Sequence, residues 1–159
     1  MVPYLIDGHN LIPKVGLRLE SADDELELVA VLQEHSRRSR RGIEVYFDGA
    51  LAGHSGSRRF GQVTAYFVSQ RSNADAAIRA RLEQLGGAAR NWIVVSSDRE
   101  VLRAARAARA RTETSEQFAG RLRRERGAQS GRDVRRRLGA DGGLTEQELK
   151  QWLDLFKKG

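Results

Sequence analysis

The chain has 159 residues, 40% of them hydrophobic, with 28 Lys and Arg against 21 Asp and Glu for a net charge of +7, and no cysteine. That length suits one domain with a substantial core, and the missing cysteines exclude disulfides and thiolate metal sites. No run approaches the ~20 apolar residues of a bilayer span, and no basic region followed by an apolar signal core opens the chain. The expectation is a cytoplasmic protein with no membrane partner.

Arginine dominates the positive charge and comes in blocks, at Arg37 to Arg41, Arg121 to Arg126 and Arg132 to Arg137. Such patches favour phosphate backbones, because neutralised phosphates release counterions and guanidinium pairs with phosphate as a fork. A solvated, arginine-rich surface is the plain alternative.

In chain order, Tyr4 to Asp7 reads as a strand. Ser21 followed by Asp23, Asp24 and Glu25 opens a helix, since acids suit its positive end. Leu28, Val31, Leu32 and His35 continue it at helical spacing up to Gly42, and Ile43 to Phe47 is the second strand. The Gly- and Ser-containing stretch Ala50 to Gly61 reads as a mobile loop. Val63 to Val68 is a third strand, Ala74 to Leu85 a helix, Trp92 to Val95 a fourth strand and Arg99 to about Ala110 a helix. Arg111 to Thr114 has little apolar content and is either a short edge strand or none. Thr114 and Gln117 fit a capping box, with Phe118 and Leu122 on the apolar face of the helix that follows. Arg123 to Gly143, rich in Arg and Gly, is expected to be partly disordered. Thr145 and Glu148 then cap a final helix whose Leu149, Trp152, Leu153 and Phe156 form one stripe, read as docking on the core, with a partner's groove as the alternative.

Alternating strands and helices point to an α/β fold with a mostly parallel central sheet of about five strands flanked by helices. The domain spans 1–125, and 126–159 forms an Arg/Gly-rich connection and an amphipathic helix packed on the same domain. In such sheets ligands bind at the carboxyl ends of the strands, and three strand-like runs end on Asp7, Asp48 and Asp98. Gathered carboxylates make the oxygen-rich pocket that hard divalent cations prefer.

Each acid has a plainer explanation as well. Asp7, before Gly8, could leave its strand through an Asx turn, although an apolar run has no structural use for an unpaired acid. Asp75 shares the helix face of Ile78, Leu82 and Leu85, so it is aimed at the sheet; favourable placement in the helix dipole is the alternative. For Asp98 a cap is available from Ser97 with Glu100, leaving the acid open for another role. Asp48, before Gly49, points into the crevice or serves as a turn residue. His9, His35 and His54 have no ligand spacing, and neither a Walker loop nor a dinucleotide fingerprint is present.

Asp7-Gly8-His9-Asn10 after an apolar strand, Ser72-Asn73-Ala74-Asp75 opening a helix, and Ser96-Ser97-Asp98 after a later strand resemble the NYN domains. These are PIN-like nucleases, and order and spacing are most similar to the bacterial YacP-like subfamily. The resemblance spans roughly Tyr4 to Leu122. It implies a PIN-like three-layer sandwich and metal-dependent cleavage of RNA by an endoribonuclease, with Mg²⁺ or Mn²⁺ held by Asp7, Asp75 and Asp98. Asn10 would orient one of these acids or contact the scissile phosphate, and Asp48 matches a frequent acid of the subfamily. The subfamily's association with ribosome-linked messenger RNA decay extends the implied partners from RNA to the ribosome. Arg58, Arg59, Arg71, Arg99 and Arg103 are the candidate phosphate contacts, with Arg106 and Arg109 continuing a helical side. A catalytically silent RNA- or ribosome-binding module is the rival reading. A phosphatase or phosphotransfer domain is a weaker one, because His9 stands where its second acid would be expected.

Overall fold

The computed structural model describes residues 2–16, 22–50 and 55–126. The expected Arg/Gly-rich connection and terminal helix therefore lie outside the described residues. The core is a six-stranded sheet in the order β3-β4-β2-β1-β5-β6. Its strands are β1 (Tyr4–Asp7), β2 (Ile43–Ala50), β3 (Gly56–Phe60), β4 (Val63–Ser69), β5 (Ile93–Val95) and β6 (Arg111–Glu113). All neighbours are parallel except β3, which pairs antiparallel with β4.

Alternation along the strands sends apolar groups to both faces, as a sheet covered on both sides requires. Tyr4, Ile6, Val45, Phe47, Ala65 and Phe67 pack beneath α2 (Ala22–Ser39) and α5 (Ser115–Arg126). Leu5, Tyr46 and Val94 pack beneath α3 (Ala74–Leu85) and α4 (Arg99–Ala107). The short helix α1 (Gly8–Leu11) and a 3-10 turn at Ile12–Val15 lead out of β1. This is the expected three-layer α/β architecture, with six strands in place of about five.

The additional strand is β3, which occupies part of the stretch expected to be a loop. It pairs Gly56 with Phe67 and Phe60 with Val63, and the tight connection places Gly61 at φ +64. An edge strand needs only one hydrogen-bonded side, so the polar sequence Gly-Ser-Arg-Arg-Phe suffices there. The same reasoning settles Arg111 to Glu113, which forms a parallel edge strand against β5 despite its polar composition.

Gly8 sets how closely β1 turns against β2. A Cβ at Gly8 would stand 2.4 Å from one Phe47 ring carbon and 2.9 Å from the Tyr46 carbonyl oxygen. Phe47 is fully buried, so its ring has no room to withdraw. Gly8→Ala is therefore expected to destabilise the fold by about 2–3 kcal/mol through overpacking. A urea titration that returned the wild-type midpoint would refute the close approach.

Candidate active site

Asp7 ends β1, Asp48 lies in the distal part of β2, and Asp75 and Asp98 stand at the starts of α3 and α4. All four therefore sit at the carboxyl rim of the sheet, on the face covered by α3 and α4. Their fields reach one another. Asp7 feels the charges of Asp48 and Asp98, and Asp75 feels those of Asp98, Glu100 and Asp48.

Each acid has a specific anchor. Ser96 Oγ donates to Asp7 Oδ2 at 3.2 Å, and the Asn10 backbone N–H also supports this carboxylate. Asp48 Oδ1 accepts the Ala74 N–H, fastening β2 to the first turn of α3, while Asn73 caps that helix through the Ala76 N–H at 2.7 Å. Asp98 is the N-cap of α4, accepting the Glu100 N–H at 2.8 Å. The cap expected from Ser97 with Glu100 is thus supplied by Asp98. Asp75 Oδ2 lies 3.3 Å from Arg79, and its Oδ1 is buried with no hydrogen-bond partner.

Asn10 is a joint between segments. Its Oδ1 accepts the Ser97 N–H at 2.8 Å and the buried Ser115 hydroxyl at 2.6 Å. Ser97 Oγ in turn accepts the Ser115 N–H at 3.1 Å and donates to Glu116, which Lys14 meets at 3.0 Å. Ser96 Oγ also accepts the Asp98 N–H at 3.0 Å, so one hydroxyl bridges the Asp7 carboxylate and the Asp98 backbone. Asn10 thus positions the loop that carries Asp98. Ser115 and Glu116 escaped the sequence reading because they lie far along the chain in an ordinary helix start, with no local signal of the contact. Thr114 and Gln117 do form the expected reciprocal box, with N–H contacts of 3.0 and 3.1 Å.

The family model of the YacP-like NYN domain matches residues 4–157. The chain belongs to this family. The NYN fold of the chain is also that of solved structures: the W164L mutant of Rae1 (YacP) from Bacillus subtilis has a TM-score of 0.62, at 20% identity over the whole of both chains. The unmutated Rae1 (YacP) has a TM-score of 0.61, at 18% identity over all of this chain and 96% of that one. At such identities the likeness bears on fold alone. No curated protein matches the chain. NYN domains are nuclease-like, RNA-related and hydrolytic, and nucleases of this kind generally use divalent metals. Among the described residues no helix is long and apolar enough to cross a membrane.

The rim of this NYN domain suits a hard cation by donor type, since every candidate ligand is a carboxylate oxygen. Asp75 Oδ1 is a buried acceptor lacking a donor. Among the described residues, however, no three His, Asp or Glu side chains are grouped closely enough to hold one ion. Mg²⁺ needs only one or two protein carboxylates, keeping waters and substrate phosphate oxygens as its other ligands. His9 is engaged elsewhere. Its Nδ1 accepts the Asp48 N–H at 3.2 Å, its Nε2 lies 3.5 Å from Glu25, and its ring packs on Phe47. Burial lowers its affinity for a proton, but Glu25, Asp48 and Asp7 outweigh burial and raise its pKa.

The candidate arginines divide by position. Arg71, ahead of α3, and Arg99, the first residue of α4, are exposed at the rim, and Arg103 lies one turn further along α4. Arg58 and Arg59 lie on β3 opposite Ala65 and Thr64, and the chain there runs away from the rim. Arg59 is turned back onto the Gly61 carbonyl at 2.9 Å. The block from Arg37 to Arg41 sits at the far end of the sheet. Arg37 and Arg38 meet Glu34, Arg38 also donates to the Glu125 carbonyl, and Arg41 donates to the Tyr4 hydroxyl. Much of that block is spent holding α2 to α5 and β1.

Burial is the main cause that raises Asp7 from an ordinary 3.8 to about 6; Ser96 opposes it, and Asp48 and Asp98 add to it. Between those two pH values the folded protein holds a proton that the unfolded chain has released, so stability falls as pH rises through the window. The loss is complete above it. In EDTA, Asp7→Asn is expected to match the wild type most closely near pH 4 and to gain on it toward pH 7, by up to about 3 kcal/mol. Paired denaturation curves at the two pH values measure this, and a constant difference would contradict it.

Proposed function

We propose that this NYN domain is a divalent-metal-dependent endoribonuclease that hydrolyses RNA phosphodiester bonds. The observation that carries the reading is the gathering of Asp7, Asp48, Asp75 and Asp98 at one rim of a protein with a net charge of +7. Mutually repelling acids held beside one another, Asp7, Asp48 and Asp75 half-buried and Asp98 exposed, with one carboxyl pushed up to about 6, cost stability that a structural role does not return.

Asp7, Asp75 and Asp98 would hold Mg²⁺ or Mn²⁺ through one or two direct carboxylates and bridging waters, with Asp48 beside them. When bound, such an ion supplies a water of lowered pKa and neutralises charge on the scissile phosphate. The chain's own contribution is placement. Asn10 and Ser96 fix the Asp98 loop relative to Asp7, while Arg71 and Arg99 offer guanidinium groups to the phosphates on either side. No side-chain nucleophile is required. RNA is the proposed substrate, and ribosome-linked decay in the cytoplasm is the proposed context.

A second reading has a specific observation behind it. Asp48 and Asp98 each cap a helix start, and Asp75 meets Arg79, so the acids could serve the fold of a catalytically silent RNA-binding module. The two readings separate in one assay with single-stranded and structured RNA. The nuclease requires Mn²⁺ or Mg²⁺, stops in EDTA, and loses at least ~10²-fold activity in Asp7→Asn and in Asp75→Asn if each removes transition-state charge stabilisation. Metal-independent binding without cleavage in any condition would favour the silent module, and cleavage that survived both substitutions would place the site elsewhere. A second measurement does not depend on turnover. Mn²⁺ that binds only the folded state raises the melting temperature with concentration, and both variants are expected to blunt that rise.

A further inference from the structure

A groove between α3 and α4 begins where the acidic rim ends. It has a volume of about 610 Å³. Its floor is small and apolar, formed by Leu82 and Gly86 on one side and by Ala104, Ala107 and Ala108 on the other. Arg79 joins it to the rim, since the same side chain lines the groove and meets Asp75 at 3.3 Å. Both helices start at the rim and run away from it, and α3 from Asp75 to Leu85 covers about 15 Å.

The charges along this path are mostly positive. Arg99, Arg103 and Arg106 are exposed on the outer side of α4 and are not part of the groove's lining; Arg103, one turn before Ala107, stands nearest its edge. Arg109 lines the far end of the groove and has φ +65, at a helix terminus where glycine is the usual residue. Among the described residues, none of these four arginines forms an ion pair or a side-chain hydrogen bond. Glu83 is the acid in the lining. An apolar Ala/Gly floor with an arginine at each end, Arg79 and Arg109, matches a single nucleic-acid strand, which presents phosphates on one side and flat, largely apolar bases on the other.

We propose that this groove carries the single-stranded RNA leading away from the scissile phosphate, with Arg109 and the bordering Arg103 gripping the backbone and the small-residue floor receiving a base. The proposal rests on the nuclease reading for the identity of its ligand. It goes beyond that reading by giving the substrate a direction, down α3 and α4 and not across β3. Residues 127–159 of the chain are the competing occupant. That segment carries seven Lys and Arg against five Asp and Glu, so it offers no net opposite charge to Arg79 and Arg109, as an RNA backbone does.

Two full-length variants test this without turnover. Ala107→Trp fills the groove, and Arg109→Glu reverses its charge. Binding is read in EDTA by fluorescence anisotropy, using an unstructured RNA of about 12 nucleotides, within the span of single-strand sites. Each variant is expected to weaken binding about tenfold while keeping the wild-type circular dichroism, and Arg109→Glu should flatten the salt dependence by about 0.7 per lost phosphate contact. Wild-type affinity in folded variants would overturn the proposal. Unchanged affinity with faster proteolysis within 127–159 in Ala107→Trp would overturn it too, and would assign the groove to that segment. Loss of cleavage in Asp7→Asn with RNA binding intact leaves the groove standing. A wild-type chain that binds no RNA sinks the substrate reading and the groove together.

Discussion

The acids at the rim are held chiefly by neutral donors. Ser96 supports Asp7, the Ala74 and Glu100 N–H groups support Asp48 and Asp98, and Asp75 lies within ion-pair distance of Arg79. A hydrogen bond from a serine or a backbone amide fixes a carboxylate without cancelling its charge. Helix starts suit this role, because their N–H groups have no intrahelical partner and their dipole favours an anion. The rim therefore keeps concentrated negative charge in a protein that is otherwise basic, and the rest of the site is arranged to tolerate it.

That tolerance depends on tertiary links. Three loops meet at the rim, after β1, after β5 and before α5, and Asn10, Ser97 and Ser115 tie them through shared hydrogen bonds. Losing any one partner would leave a buried polar group unsatisfied, which is why such networks rigidify a site when complete. Gly8 contributes by absence of a side chain, letting the turn after Asp7 press onto Phe47.

The positive charge is not one uniform coat. Between Arg37 and Arg41, guanidinium groups neutralise Glu34 or cap α5 and Tyr4 at the end of the sheet opposite the acids. The arginines of α4 are differently placed, exposed in a line that starts at the rim. Equal contributions to net charge thus have unequal consequences: one group consolidates packing, and the other stays available to a ligand.

The central strands were legible because Tyr4 to Ile6, Ile43 to Phe47 apart from Glu44, and Ile93 to Val95 carry apolar groups on both faces, and burial on both faces leaves few alternatives. Helices α3 and α5 were legible from their periodicity and caps. The edge strand β3 was not, since an edge strand buries little and Gly-Ser-Arg-Arg-Phe carries a loop's composition. The sequence by itself determined that Asp7, Asp75 and Asp98 stand at element ends on the same rim, because the rim is where parallel strands finish and their helices begin. Only the tertiary structure decided which donors each acid meets: Asp98 capping its own helix, Asp48 fastened to the start of α3, and Ser115 reaching Asn10. Those contacts join residues as many as 105 positions apart, and no local pattern encodes a partner that packing alone brings into range.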